Sequence, residues 1–148
     1  MFGRIVVGTD GSETASEAVR QATGLAKATG ASLDIVSAFE PIPAERLREE
    51  EQEVPGDVAY AVGPREDVNQ ILEGACREAK QAGVEVQQHP REGEAADAIL
   101  DVAEEVGADL IVVGNKGMTG ARRLLPIGAV PNKVIHHLPT AVLIVRTT

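Results

Sequence analysis

The chain has 148 residues, 43% of them apolar and 2% aromatic, with no Trp and a formal net charge of −9. This length suits one domain with one core, the apolar fraction excludes a disordered chain, and the acidic balance argues against nucleic acid as a partner. No apolar run approaches the roughly 20 residues of a membrane helix, so a membrane partner is not expected, and the single Cys76 with no signal-peptide pattern at the N-terminus fits a reducing cytoplasm.

So few aromatics leave Val, Ile, Leu and Ala to build the core, as in a parallel sheet under Ala-rich helices. Ile5 to Thr9 reads as a buried strand, and Asp10, Gly11 and Ser12 as the turn after it. Thr14 and Glu17 have the spacing of a capping box. Ala15, Ala18, Val19, Ala22, Leu25 and Ala26 follow at helical spacing, and Gly30 ends the helix. Residues 31–38 read as a second strand centred on Leu33, Ile35 and Val36. Residues 40–64 differ: four prolines and an acidic run from Glu45 to Glu53 make a variable acidic connection, either a solvated excursion or a lid.

Val68, Ile71, Leu72, Ala75 and Ala79 mark a second helix stopped near Gly83, with Cys76 an inert, at least half-buried thiol on it. Val84 to His89 is a third strand whose polar content suggests a sheet edge. Ala95 to Val106 is a third helix closed by Gly107, and Leu110 to Val113 a strand deep in the sheet. A Gly-rich loop from Gly114 to Gly128, a fourth helix over Ala129 to Leu138 and a last strand, Ala141 to Val145, complete the chain. Strands alternating with helices imply right-handed crossovers and a parallel sheet over a single domain, 1–148. Such sheets bind ligands at the carboxyl ends of strands, where strand order reverses.

The loop after the fourth strand carries the chemistry. Glycines at 114, 117, 120 and 128 let main-chain amides approach a ligand. The loop then enters a helix N-terminus, which favours an anion, with Pro131 in the first turn. Lys116, Arg122 and Arg123 add positive charge nearby, or simply face solvent. The loop is neither a Walker A motif nor a dinucleotide-binding fingerprint, because it lacks the Gly-Lys-Ser/Thr ending and follows the fourth strand, not the first. His136 and His137 diverge on a helix, and no Cys/His spacing joins them to His89, so no metal site is expected.

The whole chain resembles a universal stress protein. The resemblance rests on the Ile5–Ser12 start, on Ala108–Gly117 (Ala-Asp-Leu-Ile-Val-Val-Gly-Asn-Lys-Gly) and on the Val142–Val145 end. It implies a Rossmann-like α/β fold, an open parallel five-stranded sheet in order 3-2-1-4-5 with helices on both faces. It also implies an adenine-nucleotide-binding protein of stress response or signalling, not an efficient enzyme. The ligand would be ATP, or AMP, ADP or cyclic AMP, with Mg accompanying the nucleotide. By resemblance, Gly8, Thr9 and Asp10 line the adenosine pocket, Ala38 meets adenine through its backbone, and Val113 and Gly114 flank the ribose. Gly117, Met118, Gly128, Ala129, Val130 and Pro131 surround the phosphates. Asp10 is equally suited to an Asx-turn.

The ATP-binding branch reads Gly-x2-Gly-x9-Gly-Ser/Thr. Here ten residues separate Gly117 from Gly128, and Ala129 stands at the hydroxyl position. Those departures keep two alternatives open: a nucleotide-free protein-interaction domain, and a cyclic AMP or AMP binder. The resemblance and the apolar last strand, 141–145, both point to a homodimer pairing through that strand.

Overall fold

The computed structural model describes residues 2–39, 64–115 and 140–146. Expectations for the Gly-rich loop beyond Asn115, for the fourth helix and for the acidic connection over 40–64 fall outside them, except that Pro64 belongs to the helix that follows the connection. The described elements run β1 (Arg4–Gly8), α1 (Glu13–Thr29), β2 (Ser32–Phe39), α2 (Pro64–Gln81), β3 (Val86–Glu92), α3 (Ala95–Val106), β4 (Leu110–Gly114) and β5 (Ala141–Val145). The strands form a five-stranded sheet in order β3-β2-β1-β4-β5, with every pair parallel.

Alternation along the strands divides the core in two. Ile5, Val7, Leu33, Ile35, Leu110 and Val112 face α1 and α2. Val6, Val36, Ile111 and Val113 face α3. Both faces of the central strands are therefore apolar, which explains their near-continuous Val and Ile runs. Cys76 is buried in the α1–α2 layer, and burial pushes its thiol up, away from the thiolate form that reacts.

The helix ends follow local chemistry, with one correction. The capping box expected at Thr14 and Glu17 does not form. Helix α1 begins two residues earlier, at Glu13, so Ser12 is the N-cap and its Oγ accepts from the Ala15 amide at 3.2 Å. Glu17, one turn inside, instead accepts from Arg20 (2.6 Å) and Gln21 (3.1 Å). Gly30 and Gly107 close α1 and α3 in the left-handed conformation (φ 74° and 66°). Pro64 opens α2 at its first position, where a missing N–H is harmless.

β3 lies at an edge of the sheet, as its polarity suggested, but runs two residues later at its start and three at its end than the expected Val84–His89. It continues through Pro90, which the expected strand stopped short of. The reason is the phase of its hydrogen bonds. The Leu33 amide donates to the Glu85 carbonyl (2.9 Å) and the Gly93 amide to the Phe39 carbonyl (2.7 Å). Odd-numbered residues between them therefore face β2, and Pro90 puts its missing donor on the outer edge.

Candidate functional site

The sheet order reverses between β1 and β4, because β1 connects onward to β2 on one side while β4 lies on the other. A crevice at their carboxyl ends is the expected ligand position in an open parallel sheet. The register sets Val7 beside both Ile35 and Val112, and Gly8 beside Val36. Gly8, Thr9, Asp10, Ala38, Val113 and Gly114 are thus gathered at the carboxyl ends of three adjacent strands, β2, β1 and β4. Gly117, Met118, Gly128, Ala129, Val130 and Pro131 lie outside the described residues.

The turn after β1 is held by its own side chains. Thr9 continues the ladder by donating its amide to the Val36 carbonyl (2.9 Å), and its Oγ1 accepts from the Gly11 amide (3.2 Å). Asp10 Oδ1 accepts from the Ser12 amide (2.9 Å), the Asx-turn expected of it. That bond leaves Oδ2 without a hydrogen-bond partner among the described residues. Gly11 sits at φ 82°, where a side chain would be strained, and an added Cβ would lie 3.1 Å from Ile71 of α2.

Glycine at the two strand ends serves packing as well as access. A Cβ on Gly8 would collide with Ile99 Cδ1 of α3. One on Gly114 would lie 2.7 Å from Thr14 Cγ2 and 3.3 Å from the Thr14 carbonyl of α1. The helices therefore close on the strand ends from opposite faces. Val113 buries its side chain in the α3 layer, and the bond from the Asn115 amide to the Val145 carbonyl puts odd-numbered β4 residues against β5, so its N–H and C=O turn away from β1. The Thr9–Val36 bond puts even-numbered β2 residues against β1, so Ala38 turns its N–H and C=O to that side, where β1 has already ended at Gly8. Next to it, Ser37 is 2% exposed and its Oγ has no hydrogen-bond partner among the described residues.

A charged cluster away from the crevice escaped sequence reasoning. Asp34, in the middle of β2 and 1% exposed, accepts from Arg4 Nε of β1 at 3.0 Å, and its Oδ1 lies 2.8 Å from His89 Nε2 of β3. Burial works to raise the Asp34 carboxyl, but the bonds from His89 and Arg4 outweigh it and hold the group below the usual carboxylate range. An Asp between Leu33 and Ile35 was the available signal, since a buried carboxylate demands a donor. Asp109 acts similarly at the surface. The amides of Gly3 (2.8 Å) and Arg4 (3.1 Å) donate to it, lowering its carboxyl and tying the start of β1 to the start of β4.

An open parallel sheet in this order, with helices on both faces and glycines at the strand ends of the reversal point, defines a doubly wound α/β domain. The model of the universal stress protein family matches residues 1–146, and the chain belongs to that family. It is 39% identical over 149 residues to the universal stress protein Rv1636 of Mycobacterium tuberculosis, an alignment covering 99% of this chain and 98% of that one. A universal stress protein solved in complex with cAMP is 38% identical, covers 99% of both chains and superposes with a TM-score of 0.71. A universal stress protein from Archaeoglobus fulgidus solved with dAMP shares the fold at 24% identity and a TM-score of 0.63, covering 96% of each chain.

Proposed function

We propose that the chain binds an adenine nucleotide in the crevice between the ends of β1, β2 and β4 and acts as a stress-response or signalling protein, not as an efficient enzyme. The observation that carries this reading is the 38% identical relative in complex with cAMP, matched along nearly its whole length. In this reading Ala38 meets adenine through the main-chain groups it turns toward β1, and Gly8, Thr9 and Asp10 line the adenosine. Val113 and Gly114 flank the ribose. Gly117, Met118, Gly128, Ala129, Val130 and Pro131 form the phosphate cradle. ATP is the ligand the family loop favours. Among the described residues no group of three or more His, Cys, Asp or Glu gathers to hold a metal, so Mg would arrive on the phosphates of the nucleotide. The protein acts as a homodimer in the cytoplasm.

Cyclic AMP is the second reading, and the relative bound to cAMP favours it. Ala129 favours it too, because the family's hydroxyl serves the outer phosphates that cyclic AMP lacks. Titration calorimetry with ATP, AMP, cyclic AMP and GTP tests both. Binding of an adenine nucleotide with guanine bound less well is expected, and the tighter of ATP and cyclic AMP decides between the readings. No heat and no thermal shift with any adenine nucleotide would sink the proposal in favour of a nucleotide-free interaction domain.

A further inference from the structure

An edge strand turns the N–H and C=O of every second residue away from the sheet. The bonds that bracket β3, Leu33 to Glu85 and Gly93 to Phe39, place Val86, Gln88, Pro90 and Glu92 outward. Pro90 has no N–H to offer and blunts the edge there. Val86 and Gln88 keep both a donor and an acceptor, and among the described residues no strand pairs with that side of β3. The open stretch is short and sits at the amino-terminal half of the strand.

A groove of about 870 Å³ runs beside this stretch, between Arg77, Lys80 and Gln81 of α2 and Val86 and Gln88 of β3. Arg77 and Lys80 are exposed and form no ion pair among the described residues. Glu73 supplies the one acidic side chain of the lining. The chain as a whole carries −9, so this is a basic spot on an acidic protein. An acidic segment is repelled by most of the surface and drawn here.

We propose that the groove between α2 and the outer edge of β3 receives an extended acidic peptide segment of a partner protein, which adds to the sheet beside Val86 and Gln88 while its carboxylates meet Arg77 and Lys80. Main-chain bonds supply the docking, and side chains alternating into the groove supply the selection. This surface is separate from the nucleotide crevice, which lies at the carboxyl ends of the strands.

Fluorescence anisotropy with the intact chain tests it. Three labelled probes are needed: a peptide of alternating Glu and Val, the same peptide with Lys for Glu, and the Glu–Val peptide N-methylated at alternate amides. The acidic peptide is expected to bind, with the Lys and N-methylated versions each weaker by roughly tenfold or more. Arg77→Glu with Lys80→Glu should abolish the preference for Glu over Lys. Gln88→Pro should weaken the acidic peptide by a similar factor with an unchanged circular dichroism spectrum; if that variant does not fold, the N-methylated peptide carries the same arm. Equal binding of the Glu and Lys peptides, full binding of the N-methylated one, or no binding at millimolar peptide would overturn the proposal. So would loss of a dimeric mass in Gln88→Pro, because the edge would then belong to a second copy.

Discussion

Two buried polar side chains of β2 show opposite solutions to one problem. Asp34 is satisfied by Arg4 and His89, whereas the Ser37 hydroxyl has no partner among the described residues. Removing one side of a charged hydrogen bond costs about 1.5–3 kcal/mol, so Asp34→Asn should lower the unfolding free energy measured by urea titration by that order. The sign of the pH dependence follows from the lowered carboxyl. The unfolded chain holds Asp34 at its ordinary value near pH 4, so the cluster stabilises fully above that pH and the contribution disappears as pH falls further through the folded-state value. An unfolding curve of Asp34→Asn that keeps the wild-type loss of stability below pH 4 would assign the acid sensitivity to other groups. Ser37→Ala removes a hydroxyl that gains nothing from burial and should stabilise the empty protein by about 1 kcal/mol. If the same substitution weakens an adenine nucleotide, the hydroxyl is a ligand group. Ala129→Ser restores the family's loop hydroxyl and should tighten ATP by about 1.5–3 kcal/mol, the range for a bond to a charged group. AMP should gain less. Equal gains for both would indicate better helix capping, and no gain would mean the extra residue near Ile127 has displaced the loop from the phosphate path.

At the scale of elements, α1 depends on the turn that precedes it. Ser12→Ala removes the oxygen that accepts the Ala15 amide and should cost about 1 kcal/mol in thermal or urea unfolding. Thr14→Ala would carry that cost instead if the helix started where the capping-box spacing puts it. The error is instructive: Ser12 and Thr14 are both good caps, and only the Asx-turn of Asp10 sets which one stands at the boundary. Helix α3 and strand β5 were legible to the residue, since Gly107 and the five-residue apolar run have no competing reading. β3 was legible as an edge but not in its length, because a proline inside a strand is tolerated only in one hydrogen-bonding phase, and phase is invisible until the partner strand is known. The same limit applied to the site. Gly114 was readable from the glycines of its loop and its place after a strand, whereas Gly8, Thr9, Asp10, Ala38 and Val113 came from the family resemblance. The Arg4–Asp34–His89 cluster joins three strands through spacings that no local pattern encodes. Gly114 was readable as a place for ligand access, but its contact with Thr14 was not. Gly114→Ala must push the start of α1 away from β4 and should cost about 1–3 kcal/mol as overpacking.

For the whole molecule, the sheet has two margins, and they are protected differently. β3 carries Pro90 and a row of polar residues, the usual defences of a free edge. β5 reads Ala-Val-Leu-Ile-Val, with no charge, proline or bulge, and Leu143 is 36% exposed. A margin so undefended calls for a partner, and a second copy through a two-fold axis is the simplest one. The register carries this further. The Asn115 amide donates to the Val145 carbonyl (2.9 Å), so odd-numbered β5 residues face β4 and Val142 and Ile144 turn their main-chain groups outward. A two-fold axis at the strand centre pairs Val142 of one copy with Ile144 of the other and sets the two Leu143 side chains directly opposite in a non-hydrogen-bonded pair. Those pairs have the closest side chains of an antiparallel ladder. Leu143→Glu therefore places like charges face to face and should weaken the dimer by roughly a hundredfold, as like-charge contacts across an interface cost several kcal/mol. Leu143→Lys should do the same. An equimolar mixture of the two variants should recover the dimer, because opposite charges then meet at the axis. Light scattering at micromolar protein reads all three. A monomeric mass for the unmutated chain would end the idea, and two variants that stay dimeric would move the interface away from β5.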